Sequence, residues 1–317
     1  MRCPYCESED IVKAGKKYNK YVEKQLYLCK SCRRRFVERD GFEGMSYPKE
    51  IILKTLHLYA EGLSLSKIRD FIWQHEGYYL YDSVILYWVK KYAHLLKNFE
   101  KKLKPKIKGR IHMDEVVLKE KGKKIYDINA VDGKTGYNLS HLLTDSLSLP
   151  YFRRFFKELK QKIYDQCLER YKRYKETGRD ERIVFVSDKR EHYRNAFEKF
   201  FSRTYKLIHG VPIACKRYGL RFNNNPVERY NEDIKQRYKV MRCFKSFESA
   251  NAFLDLRRII YNFVRGDETR AMKADISLEL GRNRLEGLIK KFESRNIIYF
   301  EECNLQNNNV FESINYL

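Results

Sequence analysis

The chain has 317 residues, 43% of them hydrophobic and 15% aromatic, with 65 Lys and Arg against 42 Asp and Glu for a formal charge of +23. That apolar content excludes a disordered, tail-like protein, and the length suffices for about two domains or one with appendages. The basic excess points to a polyanionic partner, nucleic acid before a merely solvated surface, because neutralising phosphates releases counterions.

Four of the eight cysteines form two pairs, Cys3-Pro-Tyr-Cys6 and Cys29-Lys-Ser-Cys32. Two such knuckles let four thiolates converge tetrahedrally on zinc, and the metal supplies folding energy to a short segment without its own core. Residues 1–40 therefore read as a zinc ribbon. Arg33, Arg34 and Arg35 follow the last ligand and read either as a phosphate contact or as a solvated basic face. Cys167, Cys215, Cys243 and Cys303 are scattered singly and are expected as buried thiols. Met1 leads into CPYC without a signal-peptide pattern, and no stretch is long and apolar enough to cross a membrane, so a cytoplasmic protein is expected.

Residues 41–104 read as a helical unit and linker. Pro48 suits the first turn of a helix, and Ile51, Ile52, Thr55, Leu56 and Tyr59 recur at helical spacing up to Gly62. A second helix runs through Leu65, Ile68, Phe71 and Ile72, and after Gly77 a third runs through Val84, Ile85, Trp88, Val89 and Tyr92. Three short helices with a glycine turn between the first two describe a helix-turn-helix, whose last helix could enter a major groove, or a bundle that only packs. Trp73 and Trp88 fall within apolar stripes and are expected in the core.

From Arg110 the pattern changes. RIHMDEVVL, KIYDINAVD and YNLSHLLT, separated by the glycine turns KGKK and GKTG, predict three consecutive antiparallel strands. A long helix follows from about Leu149 to Tyr174, and then RIVFVSD, nearly continuous in apolar residues, as for a strand buried on both faces. The order describes an α/β fold, a mixed sheet with flanking helices.

Three acids occupy distinctive positions. Asp114, if on a strand, shares a face with His112 and Val116, while Glu115 points the other way. Asp188 closes the buried strand, where open α/β sheets present their ligand sites. Asn225 can cap a helix with Pro226 at its first position. On that helix Glu228, Asn231, Glu232 and Lys235 form a polar stripe beside the apolar Val227, Tyr230, Ile234 and Tyr238. Each acid alone also has an ordinary reading: a cap, a capping-box partner or a surface charge. Together, in a basic chain, they describe a carboxylate site of the kind that holds two metal ions for phosphodiester chemistry. Glu232 lies on the same stripe as Glu228 and could substitute for it if the helix is rotated. His112 reads as structural, because such chemistry uses oxygen ligands.

At these residues the chain resembles the DDE transposases of bacterial and archaeal insertion sequences, of the IS-six type, in the retroviral-integrase, ribonuclease H-like superfamily. The resemblance rests on MDEVVLKEKGKKIYDINAVDGKTGYNLSHLL, VSDKREHYRNAF and NNNPVERYNEDIKQRYKVMRCFKSFESANAFL, and covers roughly residues 45–265. It implies a ribonuclease H-like catalytic domain over 105–266, preceded by the zinc ribbon and a helix-turn-helix domain over 41–104. A C-terminal helical and polar tail, 267–317, lies beyond it. It assigns Asp114, Asp188 and Glu228 as catalytic ligands of two magnesium (or manganese) ions ~4 Å apart. It also implies Lys235, in the family's basic position, and Lys90 and Lys91 within YWVKKY as DNA contacts, while Cys3, Cys6, Cys29 and Cys32 are expected to hold structural zinc and Arg33, Arg34 and Arg35 are expected beside DNA. The implied activity is binding of terminal inverted repeats, metal-dependent end cleavage and strand transfer. Implied partners are double-stranded transposon-end and target DNA and a second copy of the chain or more, in a nucleoid-associated setting in a bacterial or archaeal host. Two other readings are a DNA-binding regulator derived from an inactive transposase, and a ribonuclease H-like nuclease acting on RNA hybrids or junctions.

Overall fold

The computed structural model describes residues 1–187, 191–201, 206–209, 224–241 and 243–292. The described residues divide into two compact units, one of Met1–Leu56, Phe71–Tyr79 and residues 279–292, the other within His57–Asp70 and Leu80–Leu278.

In the first unit, β1 (Ile11–Tyr18), β2 (Glu23–Cys29) and β3 (Arg35–Val37) form an antiparallel sheet in sequential order. Its core is small: Cys3, Cys29 and Phe36, with Ile11, Tyr27 and Cys32 packed against them. Tyr21 meets Tyr47 at a tilt at 4.8 Å and Tyr78 edge-on at 5.3 Å, and the Tyr47 hydroxyl donates to the Tyr79 carbonyl at 2.9 Å. The later segment joins this unit through buried Leu285, Leu288 and Ile289 and through a 2.8 Å ion pair from Glu286 to Lys49.

Three helices follow this sheet in the chain, α1 (Lys49–Ala60), α2 (Leu65–Glu76) and α3 (Asp82–Lys101). They break at Gly62 and Gly77, both at positive φ, where the sequence places the breaks. Trp88 is in the core at 2% exposure, but Trp73 departs from expectation at 52%. Ile68 and Ile72 already fill the buried side of α2, and Trp73 follows Ile72 by about 100° of helical rotation, so it turns outward against Tyr79.

The second unit holds a five-stranded mixed sheet in the order β6-β5-β4-β7-β8. Its strands are β4 (Ile111–Glu120), β5 (Lys123–Asp132), β6 (Asn138–Thr144), β7 (Val184–Ser187) and β8 (Lys206–His209). The first three are antiparallel, and β7 and β8 run parallel to β4. The β4–β5 turn places Lys121 and Gly122 both at positive φ, the backbone that a two-residue hairpin loop requires. In β7, Phe185, Val186 and Ser187 are fully buried, as expected of an interior strand.

Helices α4 (Leu149–Thr177), α5 (Glu191–Phe201), α6 (Asn225–Met241), α7 (Phe247–Phe263) and α8 (Arg270–Lys273) complete the unit. One face of the sheet meets an aromatic layer in which Phe156 touches Tyr193, Phe197 and Phe201 edge-on, and Phe185 meets Phe197 at 5.0 Å. On the other face α6 packs on β4 and β5, and α7 packs on β6 and α3. The mixed α/β sheet with flanking helices is therefore present. Cys167 is buried as expected, whereas Cys243 is exposed because it falls in the turn between α6 and α7. Cys215 and Cys303 lie outside the described residues.

Candidate active site

Strand alternation sends Asp114 and Glu115 to opposite faces. Glu115 Oε2 accepts from the Tyr193 hydroxyl on α5 at 3.2 Å, while Asp114 Oδ2 accepts from Asn231 Nδ2 on α6 at 3.0 Å. Across the sheet Asp114 pairs with Asn129, and Asn129 pairs with His141, so three polar side chains form a row under α6 and α7.

Two asparagines fasten α6 to this face. Asn224 Nδ2 donates to the Met113 carbonyl at 3.0 Å, and its Oδ1 lies 3.3 Å from His112 Nδ1. Asn231, 2% exposed, bridges Asp114 and Asn129, whose Nδ2 donates to Asn231 Oδ1 at 3.3 Å. Asn224 also accepts the first helical bonds, from Val227 and Glu228 at 3.1 Å, so the helix opens one residue before Asn225. The cause is the fixed side chain of Asn224, which is already committed to β4. His112 thus helps hold the Asn224 side chain in place.

Glu228 lies four residues after Asn224 and three before Asn231, so it shares the helix face that both asparagines turn toward β4. It is exposed and Asp114 is half-buried, so the face is open to solvent at the two carboxylates. Glu232 is about 100° of helical rotation from Asn231, against about 60° for Glu228. Lys235 is exposed one turn beyond Asn231. Asp188 lies outside the described residues. The strand before it pairs Ile111 with Phe185 and His112 with Val186, so β7 ends at Ser187 level with Met113.

Behind the carboxylates runs a buried chain of hydrogen bonds that sequence reasoning missed. Asn129 Nδ2 also donates to Asp127 Oδ2 at 2.9 Å, and Asp127 Oδ1 meets His141 Nδ1 at 2.9 Å. His141 Nε2 then meets Asp255 Oδ1 on α7 at 2.6 Å, and Asp255 Oδ2 receives Lys97 at 2.9 Å. Burial alone would lower the His141 pKa, but the Asp127 and Asp255 carboxylates override it and raise it. Burial would likewise raise Asp255, and His141 with Lys97 instead holds it at about 2. The available signal was Asp127 and Asn129 at period two inside a strand of otherwise apolar character, opposite a hairpin partner carrying a histidine.

The other candidate residues are distributed as follows. Cys3, Cys6, Cys29 and Cys32 bring their sulfurs within 4.8 Å of one another, with Cys3–Cys32 at 3.6 Å and Cys6–Cys29 at 3.5 Å. Tetrahedral zinc with ~2.3 Å Zn–S bonds needs S···S spacings of about 3.8 Å, so the donor set fits that metal. A backbone N–H of Cys32 contributes most to pulling the Cys29 thiol down to about 6, toward the ligating thiolate. Arg33, Arg34 and Arg35 are exposed beyond the knuckle, and Arg34 and Arg39 lie over the Tyr5 ring. Lys90 pairs with Glu248 at 2.7 Å on an exposed surface, and Lys91 lies over the Tyr92 ring. No helix among the described residues is long and apolar enough to cross a membrane.

Residues 108–267 match the family model of a DDE domain of the IS240 transposase type. Among solved structures, the chain is similar to the catalytic core domain of BIV integrase, at 16% identity and a TM-score of 0.32, over 52% of this chain and 91% of that one. It is also similar to the Mos1 transposase catalytic domain solved with raltegravir and Mg, at 12% identity and a TM-score of 0.30, over 67% of this chain and 92% of that one. No curated protein matches.

Proposed function

The chain belongs to the DDE-domain transposase family, with a ribonuclease H-like mixed sheet, and on that premise we propose that it binds the terminal inverted repeats of an insertion sequence, cleaves the DNA ends and joins them to a target. Asp114, Asp188 and Glu228 are the proposed catalytic carboxylates. The observation that supports this reading is the double fastening of α6 to β4 by Asn224 and Asn231, between which Glu228 lies in the chain.

Carboxylate oxygens on a strand and a helix suit a hard divalent cation such as magnesium or manganese. Such ions, when bound, supply Lewis-acid polarisation of the phosphodiester and ease ionisation of the attacking water or 3′ hydroxyl. The chain's own residues orient the donors. Asn231 fixes one Asp114 oxygen, Asn129 fixes the Asn231 carbonyl, and Asn224 sets the axial position of the helix. Lys235, one turn further on, meets the DNA backbone. No side chain need bond covalently to DNA, since the 3′ hydroxyl itself is the nucleophile of transfer.

The proposed domains are the zinc ribbon over 1–40, the helix-turn-helix over 41–104, the catalytic domain over 105–266 and a tail over 267–317. The ribbon with Arg33, Arg34 and Arg35, and the helices with Lys90 and Lys91, hold the ends. The Lys90–Glu248 pair is solvent-exposed and worth no more than about 1 kcal/mol, so a phosphate can displace it. Two ends must be held together, so at least a dimer acts.

The test is nicking and strand transfer on duplexes carrying the inverted repeats that flank the gene, with Mg²⁺ or Mn²⁺. Asp114→Asn, Asp188→Asn and Glu228→Gln each reduce both steps to background while end-binding persists, and Glu232→Gln leaves both steps intact. Loss in Glu232→Gln with activity retained in Glu228→Gln would move the ligand to Glu232. End-binding without any cleavage by the wild type would identify a regulator.

A further inference from the structure

A cavity of ≈330 Å³ lies over the β6 edge, bounded by α3, α4 and α7 and by Ser140 and His141, and none of Asp114, Asn231 or Glu228 lines it. Six lysine and arginine side chains line it against one carboxylate, Glu158. Most are compensated. Lys97 pairs with Asp255 at 2.9 Å and Arg154 with Glu158 at 3.3 Å, while Lys162 and Arg258 share the single carboxylate of Glu100 at 2.8 and 2.9 Å. Burial would raise the Glu100 pKa, but Arg258 and Lys162 hold it at about 2, so it stays an anion facing two cations. Lys101 and Lys157 are exposed and have no ion pair among the described residues.

The decisive feature is Arg258. It is 3% exposed, and although Nη2 donates to Glu100, its Nε and Nη1 have no hydrogen-bond partner among the described residues. Buried donors of a charged group are rarely left unfilled, because each forfeits its hydration without return. These two nitrogens have almost no accessible surface, so a partner in the cavity reaches them through a small shift of the Arg258 side chain, and it must accept several hydrogen bonds and carry negative charge. It must also tolerate Lys101 and Lys157 at the rim and the neutral donors Ser140 and Gln161 in the wall. A phosphate oxyanion meets all of these conditions, and a carboxylate or chloride presents fewer acceptors.

We propose that this cavity is a phosphate-binding site separate from the carboxylate site. The phosphate comes either from a DNA backbone, which rests on the DNA-binding reading above, or from a free phosphate species, which does not.

The experiment uses the full chain, with sodium pyrophosphate as probe, titrated calorimetrically against sodium chloride of equal ionic strength. Wild type binds pyrophosphate, and Lys101→Gln/Lys157→Gln binds at least about tenfold more weakly. Arg258→Lys keeps a charge for Glu100 but removes the unfilled donors, and it weakens binding likewise. Should that variant lose its circular dichroism signature, Gln161→Glu, which adds a repelling charge to the wall, is read instead. Duplex DNA binding is followed by anisotropy across salt concentrations. A slope reduced by about 2 in the double lysine variant, near 0.9 per phosphate, identifies the backbone as source. An unchanged slope with pyrophosphate binding lost identifies free phosphate. Absence of pyrophosphate binding with an unchanged slope overturns the proposal. Wild-type affinity in Arg258→Lys, or in Gln161→Glu where it replaces it, reduces the site to surface lysines and does the same.

Discussion

Asn231 is useful to Asp114 because both ends of its amide are held. Its nitrogen donates to the carboxylate and its oxygen accepts from Asn129, so neither the amide nor the strand residue can rotate independently. Asn231→Ala leaves buried groups unmatched, which costs about 1–3 kcal/mol. If the proposed function holds, strand transfer should fall sharply in this variant while end-binding stays near wild type, and urea denaturation with a gel assay checks both halves. His141 lies two strands away, between two buried carboxylates. Its pKa is raised above the ordinary 6.5, so its contribution to stability is complete below that value and fades as pH rises through the folded value. Asp255 has the opposite sign: held at about 2, it contributes fully above about 3.8 and is lost as the pH falls toward 2. Thermal midpoints measured from pH 6 to 9 should decline in the wild type and show less of that decline in His141→Gln. The variant starts lower, since removing one member of a buried charged group costs about 3–5 kcal/mol.

Elements are held together here by loops whose backbone only glycine adopts easily, and the space around each loop decides how much a substitution costs. Gly62 has φ +88, and a Cβ there would sit 3.0 Å from Arg237 Cβ and 3.2 Å from its Cα and carbonyl oxygen. Gly122 has φ +84 but nothing within 4 Å. Gly122→Ala therefore bears only the left-handed backbone cost of about 1–2 kcal/mol, and Gly62→Ala bears that plus displacement of α6. Chemical denaturation of the two variants should rank Gly62→Ala as the more damaging, and equal losses would remove the close approach as a cause. Both glycines, like the strand runs 111–120, 123–132 and 138–144, were legible in the sequence, because turn chemistry and period-two alternation are local properties. The row Asp114, Asn129, His141 was not, because cross-strand neighbours depend on register, and register forms only when hairpins pair. The side of α6 that faces the sheet had the same difficulty. Glu228 and Glu232 share a stripe, and only the bonds of Asn224 and Asn231 to β4 fix the rotation. Trp73 misled for a related reason: an apolar residue beside a stripe resembles one within it until packing shows Ile72 already filling the place.

At the scale of the whole molecule, the two compact units rest on different sources of stability. The second unit buries a sheet between an aromatic layer and helices, enough apolar surface for a domain to fold by burial alone. The ribbon within the first unit has only Cys3, Cys29 and Phe36 at its core, with three partly buried neighbours, which is too little to offset the ordering of its strands. Four sulfurs within 4.8 Å supply the missing term if zinc binds there, since the binding free energy of such a site, about 10–16 kcal/mol, is folding free energy. Removing the metal should therefore act on one part of the chain. A chromogenic chelator with a thiol-blocking mercurial should release one zinc per chain, and Cys6→Ser should yield none. Proteolysis should then cut within residues 1–40 while the sheet of β4 to β8 survives, and hydrogen exchange should show unaltered protection at β4 and β5. End-binding should be lost together with the ribbon. A wild-type pattern of proteolysis in the zinc-free protein would show that the ribbon holds without metal and that the four thiols serve another purpose.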